Sequence, residues 1–171
     1  MSRRRVLEEK HRLSDLMARF PRPGRVQWIG LRPGRGAALV EVESARLIED
    51  RGIEGDRRAD KRGGERQVTL IQWEHLSVIA ALCGREAVDP SLLRRNIAVT
   101  GISVNALKTA RFRVGGAILQ GTGYCHPCSR MEENLGPGGY NAVRGHGGIT
   151  AKVTISGQVH CGDAVEALVA E

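Results

Sequence analysis

Short β-rich runs separated by glycine and turn residues recur from residue 25 onwards, and they constrain the fold more than any other feature. The runs are "RVQWIGLRP", "AALVEVESARLIED", "RQVTLIQ", "RNIAVTG", "RFRVGGAILQGTG", "GITAKVTIS" and "DAVEALVA". Such spacing is typical of β-barrels and sandwiches rather than of βαβ units, in which helices alternate with strands. The sequence therefore predicts a mainly β fold, a barrel or a sandwich.

Helices are predicted at the N-terminus and within the strand region. Apolar residues recur at helical spacing up to the stop "PRPG", which predicts an amphipathic helix at about 4–20. "WEHLSVIAALC" predicts an internal helix ended by Gly84, with Cys83 in the core, and "DPSLLRR" predicts a short helical turn. We therefore divide the chain into a helix and linker at 1–24 and a barrel domain at 25–171.

Composition excludes several classes of protein. A length of 171 residues suits one domain, and no apolar run approaches the roughly 20 residues of a membrane span. The N-terminus lacks the apolar segment of a signal peptide, and the four cysteines do not resemble a secreted disulfide framework. These features predict a cytoplasmic protein with reduced thiols and no membrane span.

Positive charge is concentrated at the N-terminus. The chain carries a formal charge of +7, and its first 25 residues hold eight Arg or Lys against three Asp or Glu. A basic arm can bind nucleic acid, but aromatic residues make up only 4% of the chain, which argues against a stacking surface. A small basic nucleic-acid-binding barrel with a structural CHPC loop stays open as an alternative.

The segment "GTGYCHPCSRMEENLGPGG" carries the most chemistry. "SRMEENL" predicts a short helix with a capping box between Ser129 and Glu132, ended by Gly136 and Pro137. Cys128 then directly precedes the helix, where free backbone N–H groups favour an anion. Cys128 is therefore the best candidate nucleophile or soft metal ligand.

Three chemistries compete for this thiol. Structural zinc needs a second ligand pair with normal spacing, which the sequence does not provide. A thioredoxin-like disulfide needs C-x-x-C after the first strand of a βαβ fold, whereas this motif lies deep in a β-rich chain. The third possibility is one exposed thiolate that ligates a molybdenum-type centre or carries sulfur.

Five ordered motifs resemble the MOSC family, whose domain is similar to the C-terminal part of molybdenum cofactor sulfurase. They are "GIEGDRR", "RQVTLIQWEH", "DPSLLRRNIAVTGI", "FRVGGAILQGTGYCHPCSRME" and "GHGGITAKV", the last followed by "GQVHCGD". The resemblance spans roughly residues 25–170, as a short stand-alone form. It implies a mostly antiparallel β-barrel with a few peripheral helices.

The resemblance also implies a function. It predicts an enzyme that binds molybdenum cofactor (molybdopterin) with Cys128 as metal ligand and catalytic residue, and reduces small N-hydroxylated compounds with electrons from a partner protein. The alternative is a sulfur carrier with a persulfide on Cys128, supplied by a sulfur-donor protein. Pyridoxal phosphate, found in a domain fused to some relatives, is not expected here.

Candidate cofactor-binding residues follow from the phosphate and dithiolene of molybdopterin, which need donors beside the metal thiolate. Basic and amide side chains at strand starts and a glycine-rich loop supply them: Arg66, Gln67, Arg94, Arg95, Asn96, Arg130, Arg144, His146 and Gly147. These residues could also have no ligand: the arginines would then be ordinary charges at strand edges, and the glycines would form a tight turn. Asp56 and Asp163 follow glycines at turns, and we predict structural roles for both.

Overall fold

A closed β-barrel forms the body of the protein in the computed structural model, which describes residues 12–169. Its eleven strands within this range are β1 (Gly24–Leu31), β2 (Val40–Glu41), β3 (Ser44–Ile48), β4 (Gly52–Ile53), β5 (Val68–Gln72), β6 (Ile97–Thr100), β7 (Arg111–Val114), β8 (Ala117–Tyr124), β9 (Ile149–Ile155), β10 (Gly157–His160) and β11 (Ala164–Ala167).

Short helices surround the strands. The α-helices of the described range are α1 (Leu13–Met17), α2 (His75–Leu82), α3 (Ser129–Leu135) and α4 (Gly139–Val143). Three 3-10 helices cover Arg57–Asp60, Pro90–Leu93 and Asn105–Leu107. No helix among residues 12–169 combines the length and apolar character that crossing a membrane requires.

Seven strands close the barrel in the order β11-β7-β8-β9-β5-β6-β1, because β1 pairs again with β11. This confirms the mainly β prediction and selects a barrel over a sandwich. One pair departs from the antiparallel expectation, since β5 and β6 are parallel. A parallel pair needs a crossover connection, and α2 with the helix at Pro90–Leu93 provides it. The chain therefore contains one βαβ-like crossover that the strand spacing did not indicate.

Two hydrophobic clusters lie on the two sides of the barrel wall. Every residue of β5 is buried; Leu70 belongs to the cluster inside the barrel and Ile71 to the cluster outside it. The outer cluster packs α2, α3 and α4 against the wall through residues such as Ile79 and Met131. Strands buried on both faces tend to be continuous apolar runs, and in β5 only Thr69 and Gln72 depart from that pattern. The outer cluster fixes the helix that follows the CHPC loop.

Most predicted elements appear, with some differences in detail. The internal helix is confirmed but is shorter than predicted: it ends at Leu82, with Cys83 as its C-cap, one residue before the predicted end at Cys83. Cys83 is half-buried against the outer cluster rather than fully enclosed. The N-terminal helix prediction falls partly on residues 1–11, which lie outside the described residues; Leu13 and Met17 of α1 are exposed. β4 and β10 form a separate three-stranded sheet with β3, and the sequence reading missed both.

Candidate functional site

A cleft lined by arginines contains the Cys128 thiol. It has a volume of about 280 Å³, and we call it the arginine cleft; it is lined by Arg32, Arg35, Gly36, Arg57, Arg66, Thr69, Arg94, Arg95, Cys125, His126, Cys128, Arg130 and Met131. Seven of these residues are arginines and none is acidic. The cleft therefore suits an anionic ligand beside a thiol.

Cys128 is exposed and stands directly before the first residue of α3. The predicted capping box is wrong, because Cys128 rather than Ser129 occupies the N-cap and no side chain caps the helix. Glu132 turns the other way and accepts hydrogen bonds from the backbone N–H groups of Gly138 and Tyr140, at 2.7 and 2.9 Å. These bonds lower the pKa of Glu132 and join α3 to α4.

The two cysteines of the CHPC motif differ in exposure. Cys125 is 5% exposed, Cys128 is exposed, and neither is in a disulfide. Residues 125–128 contain no turn, so the chain runs through them without folding back. Among the described residues, no three His, Cys, Asp or Glu side chains form a group that could hold a metal ion.

Arg95 holds the CHPC loop in place from inside the protein. It is 5% exposed and donates hydrogen bonds to three backbone carbonyls: those of Leu93, Cys125 and Gly147, at 2.8, 3.1 and 2.8 Å. Burial lowers its pKa, while the charges of the Cys125 and Cys128 sulfurs act in the opposite direction. A planar guanidinium with five donors can join loops that are far apart in sequence.

Arg94 adds charge to the cleft from a strained backbone position. Its φ of 56° and ψ of 28° lie in the left-handed region, which residues with a side chain rarely adopt. Burial lowers the pKa of Arg94, and the charges of Arg130, Arg32 and Arg57 lower it further. Asp56 acts in the opposite direction, and no acidic residue lines the cleft itself.

Asp56 is the buried carboxylate behind the cleft. It is 3% exposed and accepts hydrogen bonds from Arg32 Nε at 3.0 Å, from Arg58 N at 2.9 Å and from Asn96 Nδ2 at 2.9 Å. Burial alone would raise its pKa, but the bonds and charge of Arg32 outweigh burial and lower it. The predicted structural role of Asp56 is therefore confirmed by its contacts, and Asp56 also orients a cleft arginine.

We expect Asp56→Asn to lower the free energy of unfolding by about 3 kcal/mol, since an amide cannot accept all the donors that surround this buried position. Urea unfolding followed by circular dichroism measures the change. Asp50→Asn is the matched control, because Asp50 is half exposed and forms a 3.6 Å surface ion pair with Arg62; it should cost less than about 1 kcal/mol. Equal losses in both variants would contradict the role assigned to Asp56.

The "GDRR" motif also shapes the segment that follows it. Arg58 points away from the cleft and donates hydrogen bonds to the carbonyls of Lys61, Gly63 and Arg66. These bonds close the loop between the helix at Arg57–Asp60 and β5. Arg57 and Arg66, at the two ends of this loop, both line the cleft.

The predicted site residues separate into two groups. Arg66, Arg94, Arg95, Arg130 and Cys128 line the arginine cleft. The other predicted residues do not line this cleft. Gln67 bonds Gly64 and Val153, and Asn96 bonds Gly30 and Thr69. Arg144 bonds Asn141, His146 packs on His75, and the Gly147 carbonyl accepts from Arg95.

Sequence reasoning did not select several residues of the cleft. Arg32 and Arg35 lie in "LRPGRG", Arg57 lies in "GDRR", and His126 lies inside the CHPC motif. From the local sequence alone, "LRPGRG" predicts a turn and no binding role. The available signal was the density of arginines beside glycine, which points to an anion site only once the loops are known to meet.

A second cavity lies on the other side of the CHPC loop. It has a volume of about 330 Å³, and we call it the glycine pocket; it is lined by Asn105, Tyr124, Cys125, His126, Pro127, Gly145, Gly147 and Gly148. Cys125 and His126 belong to both cavities. A Cβ atom on Gly147 would lie 2.3 Å from the Cys125 carbonyl oxygen, so only glycine permits this packing.

His146 attaches the glycine loop of this pocket to α2. Its ring packs edge-on against the ring of His75 with 5.1 Å between centroids, and the Nδ1 atom of each ring is buried without a hydrogen-bond partner in the described part of the chain. Burial lowers the pKa of His75, the neighbouring His146 lowers it further, and Glu74 partly opposes both. The folded protein therefore disfavours protonation of His75.

Acidification from pH 7.5 to 5.5 should lower the melting temperature through His75. The pKa of His75 is lower in the folded state than its usual value of about 6.5, so its contribution to stability is complete above that pH and is lost as the pH falls below it. Scanning calorimetry of His75→Gln should give a flatter pH dependence, and His160→Gln, at an exposed histidine, should match the wild type. Equal slopes for His75→Gln and the wild type would exclude this origin.

Comparison with known proteins gives one family and several similar folds. The sequence model of the MOSC domain family matches residues 50–166, more than half of the chain. Among curated proteins, none is similar enough to match the sequence.

Solved structures resemble this fold at low sequence identity. The YuaD protein from Bacillus subtilis is 20% identical with a TM-score of 0.74, over 90% of this chain and 100% of that one. YiiM from Escherichia coli is 19% identical with a TM-score of 0.66, over 86% and 71%. YiiM from Geobacillus stearothermophilus is 15% identical with a TM-score of 0.68, over 86% and 76%. At these identities the likeness concerns the fold.

Proposed function

This chain belongs to the MOSC domain family, and from that premise we propose that it binds molybdenum cofactor in the arginine cleft and reduces small N-hydroxylated compounds. The observation that carries the proposal is the exposed Cys128 thiol in a cleft that seven arginines line without an acidic residue. A soft thiolate suits molybdenum, and arginine suits a phosphate.

The donor set fits the cofactor on two counts. Molybdopterin supplies a dithiolene, so the protein needs to add only one sulfur ligand, and Cys128 is the accessible one. Its phosphate needs cations that are not already neutralised. Arg32 is paired with buried Asp56, and Arg130 lies 3.8 Å from Glu133. The guanidinium of Arg94 donates to the carbonyl of Ala37 and, among residues 12–169, forms no ion pair. Arg94, with exposed Arg66 beside it, is therefore our first assignment for the phosphate.

Each protein group then has a defined task. Cys128 would hold the metal, Arg95 fixes the loop that carries Cys128, and Asp56 orients Arg32. When bound, the cofactor would pass two electrons from the electron donor to the N–O bond of the substrate. Converting a hydroxylamine to an amine and water consumes two electrons and two protons, and His126, which lines both cavities, is our assignment for proton delivery. Four cysteines do not form a ferredoxin-type cluster motif, so the electrons would come from a partner protein.

The proposal is tested on protein purified anaerobically from a host that makes molybdenum cofactor. Mass spectrometry should find about one molybdenum per chain, and fluorescence should find about one pterin, as expected for a single thiolate site. Reduction of an N-hydroxylated test compound with an artificial electron donor would follow. If the protein from that host contains no metal and carries a labile extra sulfur on Cys128, the reductase proposal is rejected and the sulfur-carrier proposal is supported.

A further inference from the structure

We propose that the glycine pocket is a binding site for an uncharged planar ring, and that it receives the ring of the substrate. As a binding site it stands on its own geometry, whereas its assignment to a substrate rests on the proposed function. Its volume of about 330 Å³ suits a single small ring compound. It adjoins the arginine cleft through the shared wall of Cys125 and His126.

Tyr124, His126 and Pro127 give the pocket its ring-shaped side chains, and its lining contains no arginine, lysine, aspartate or glutamate. The rings of Tyr124 and His126 are tilted at 60° with centroids 6.2 Å apart. Lys108 Nζ lies 4.1 Å from the centroid of the Tyr124 ring and helps to hold that ring in position. Rings in this arrangement favour a flat aromatic ligand through stacking and edge contacts.

Polar groups of the pocket are available to orient such a ligand. Gly147 and Gly148 are buried, and their backbone N–H groups donate none of the loop and turn hydrogen bonds found among residues 12–169. Asn105 adds a side-chain amide to the lining. Unpaired N–H groups at a buried position cost free energy unless a ligand or water accepts from them. A ring that carries a carbonyl-type acceptor would satisfy them.

Charge separates the ligands of the two cavities. An anionic ligand gains more in the arginine cleft, where seven guanidinium groups lie within one cavity, than in a pocket without a charged side chain. A cationic ligand is repelled by the same arginines. The pocket therefore selects an uncharged ring and presents it at the wall that Cys125 and His126 form.

Three probes of the same shape and different charge test the proposal: benzamide, benzoate and benzamidinium. They are titrated into cofactor-free, full-length ¹⁵N-labelled protein, so the result does not depend on molybdenum. Benzamide should shift the amide signals of Gly145, Gly147 and Gly148. Benzoate should instead shift the guanidinium signals of arginines in the cleft, and benzamidinium should shift neither set.

Tyr124→Leu should weaken benzamide binding about three- to tenfold through loss of the aromatic contact. Tyr140→Leu is the matched control, because Tyr140 is exposed to a similar degree and lies outside the pocket. Asn105→Ala gives a second test, with weaker benzamide binding expected. The proposal is overturned if benzamide leaves the glycine signals unmoved, if Tyr124→Leu and Tyr140→Leu behave alike, or if benzoate binds the glycine pocket as well as benzamide does.

Discussion

Cys128→Ser is expected to reduce bound molybdenum from about one per chain to below about a tenth of that value, because a neutral hydroxyl is a hard, weak donor in place of a soft thiolate. The thiol is exposed and caps no backbone group with its side chain, so the substitution should leave the barrel folded. Metal and pterin are measured on protein purified anaerobically from the same host as the wild type. A loss of molybdenum in the folded variant would then show that Cys128 coordinates the metal.

Cys161→Ser is the matched control for this substitution. Cys161 is half-buried, its Sγ atom lies 3.8 Å from the Val42 carbonyl oxygen, and it does not line the arginine cleft. Burial raises the pKa of the Cys161 thiol, which keeps it protonated and a poor ligand. Molybdenum should stay at the wild-type level in Cys161→Ser. A wild-type molybdenum content in Cys128→Ser would show that Cys128 is not a metal ligand.

Arg95→Met is expected to lower the free energy of unfolding by about 2–4 kcal/mol, because it leaves the buried carbonyls of Leu93, Cys125 and Gly147 without their donor. Methionine fills much of the volume but donates no hydrogen bond. The wall between the two cavities should loosen at the same time. Urea unfolding measures the stability, and hydrogen exchange of the Cys125 amide, which donates to Gly148, measures the local change.

Two further variants make the test specific. Arg95→Lys keeps the charge but cannot reach three carbonyls with one ammonium group, so it should give an intermediate loss. Arg85→Met removes an exposed arginine that donates a single hydrogen bond, to Leu135 O at 2.9 Å, and should cost less than about 1 kcal/mol. A loss in Arg95→Met no larger than in Arg85→Met would show that Arg95 does not support the loop.

Local signals in the sequence determined much of the fold. Glycine-bounded β runs predicted the barrel strands, and Gly84 and Gly136 marked the ends of α2 and α3. The aspartate before Pro90 caps the next helix through a hydrogen bond to Ser91 N at 2.8 Å. Each of these features depends on residues within a few positions of one another, so one sequence is enough to find them. Cys128 was also selected from neighbouring residues, because it directly precedes a predicted helix.

Only the tertiary structure decided which side chains meet. Arg32, Arg57 and Arg94 come from three separate segments of the chain, and the fold brings them to one cleft. Adjacent residues in the "RRN" segment separate for the same reason: Arg94 and Arg95 reach the cleft, while Asn96 is fully buried beside Asp56. Such contacts join residues tens of positions apart, and their energies depend on burial that local patterns do not encode. The sequence by itself therefore determined the strands, the helix ends and the candidate thiol, whereas packing decided the parallel pair, the arginine cleft and the pocket beside it.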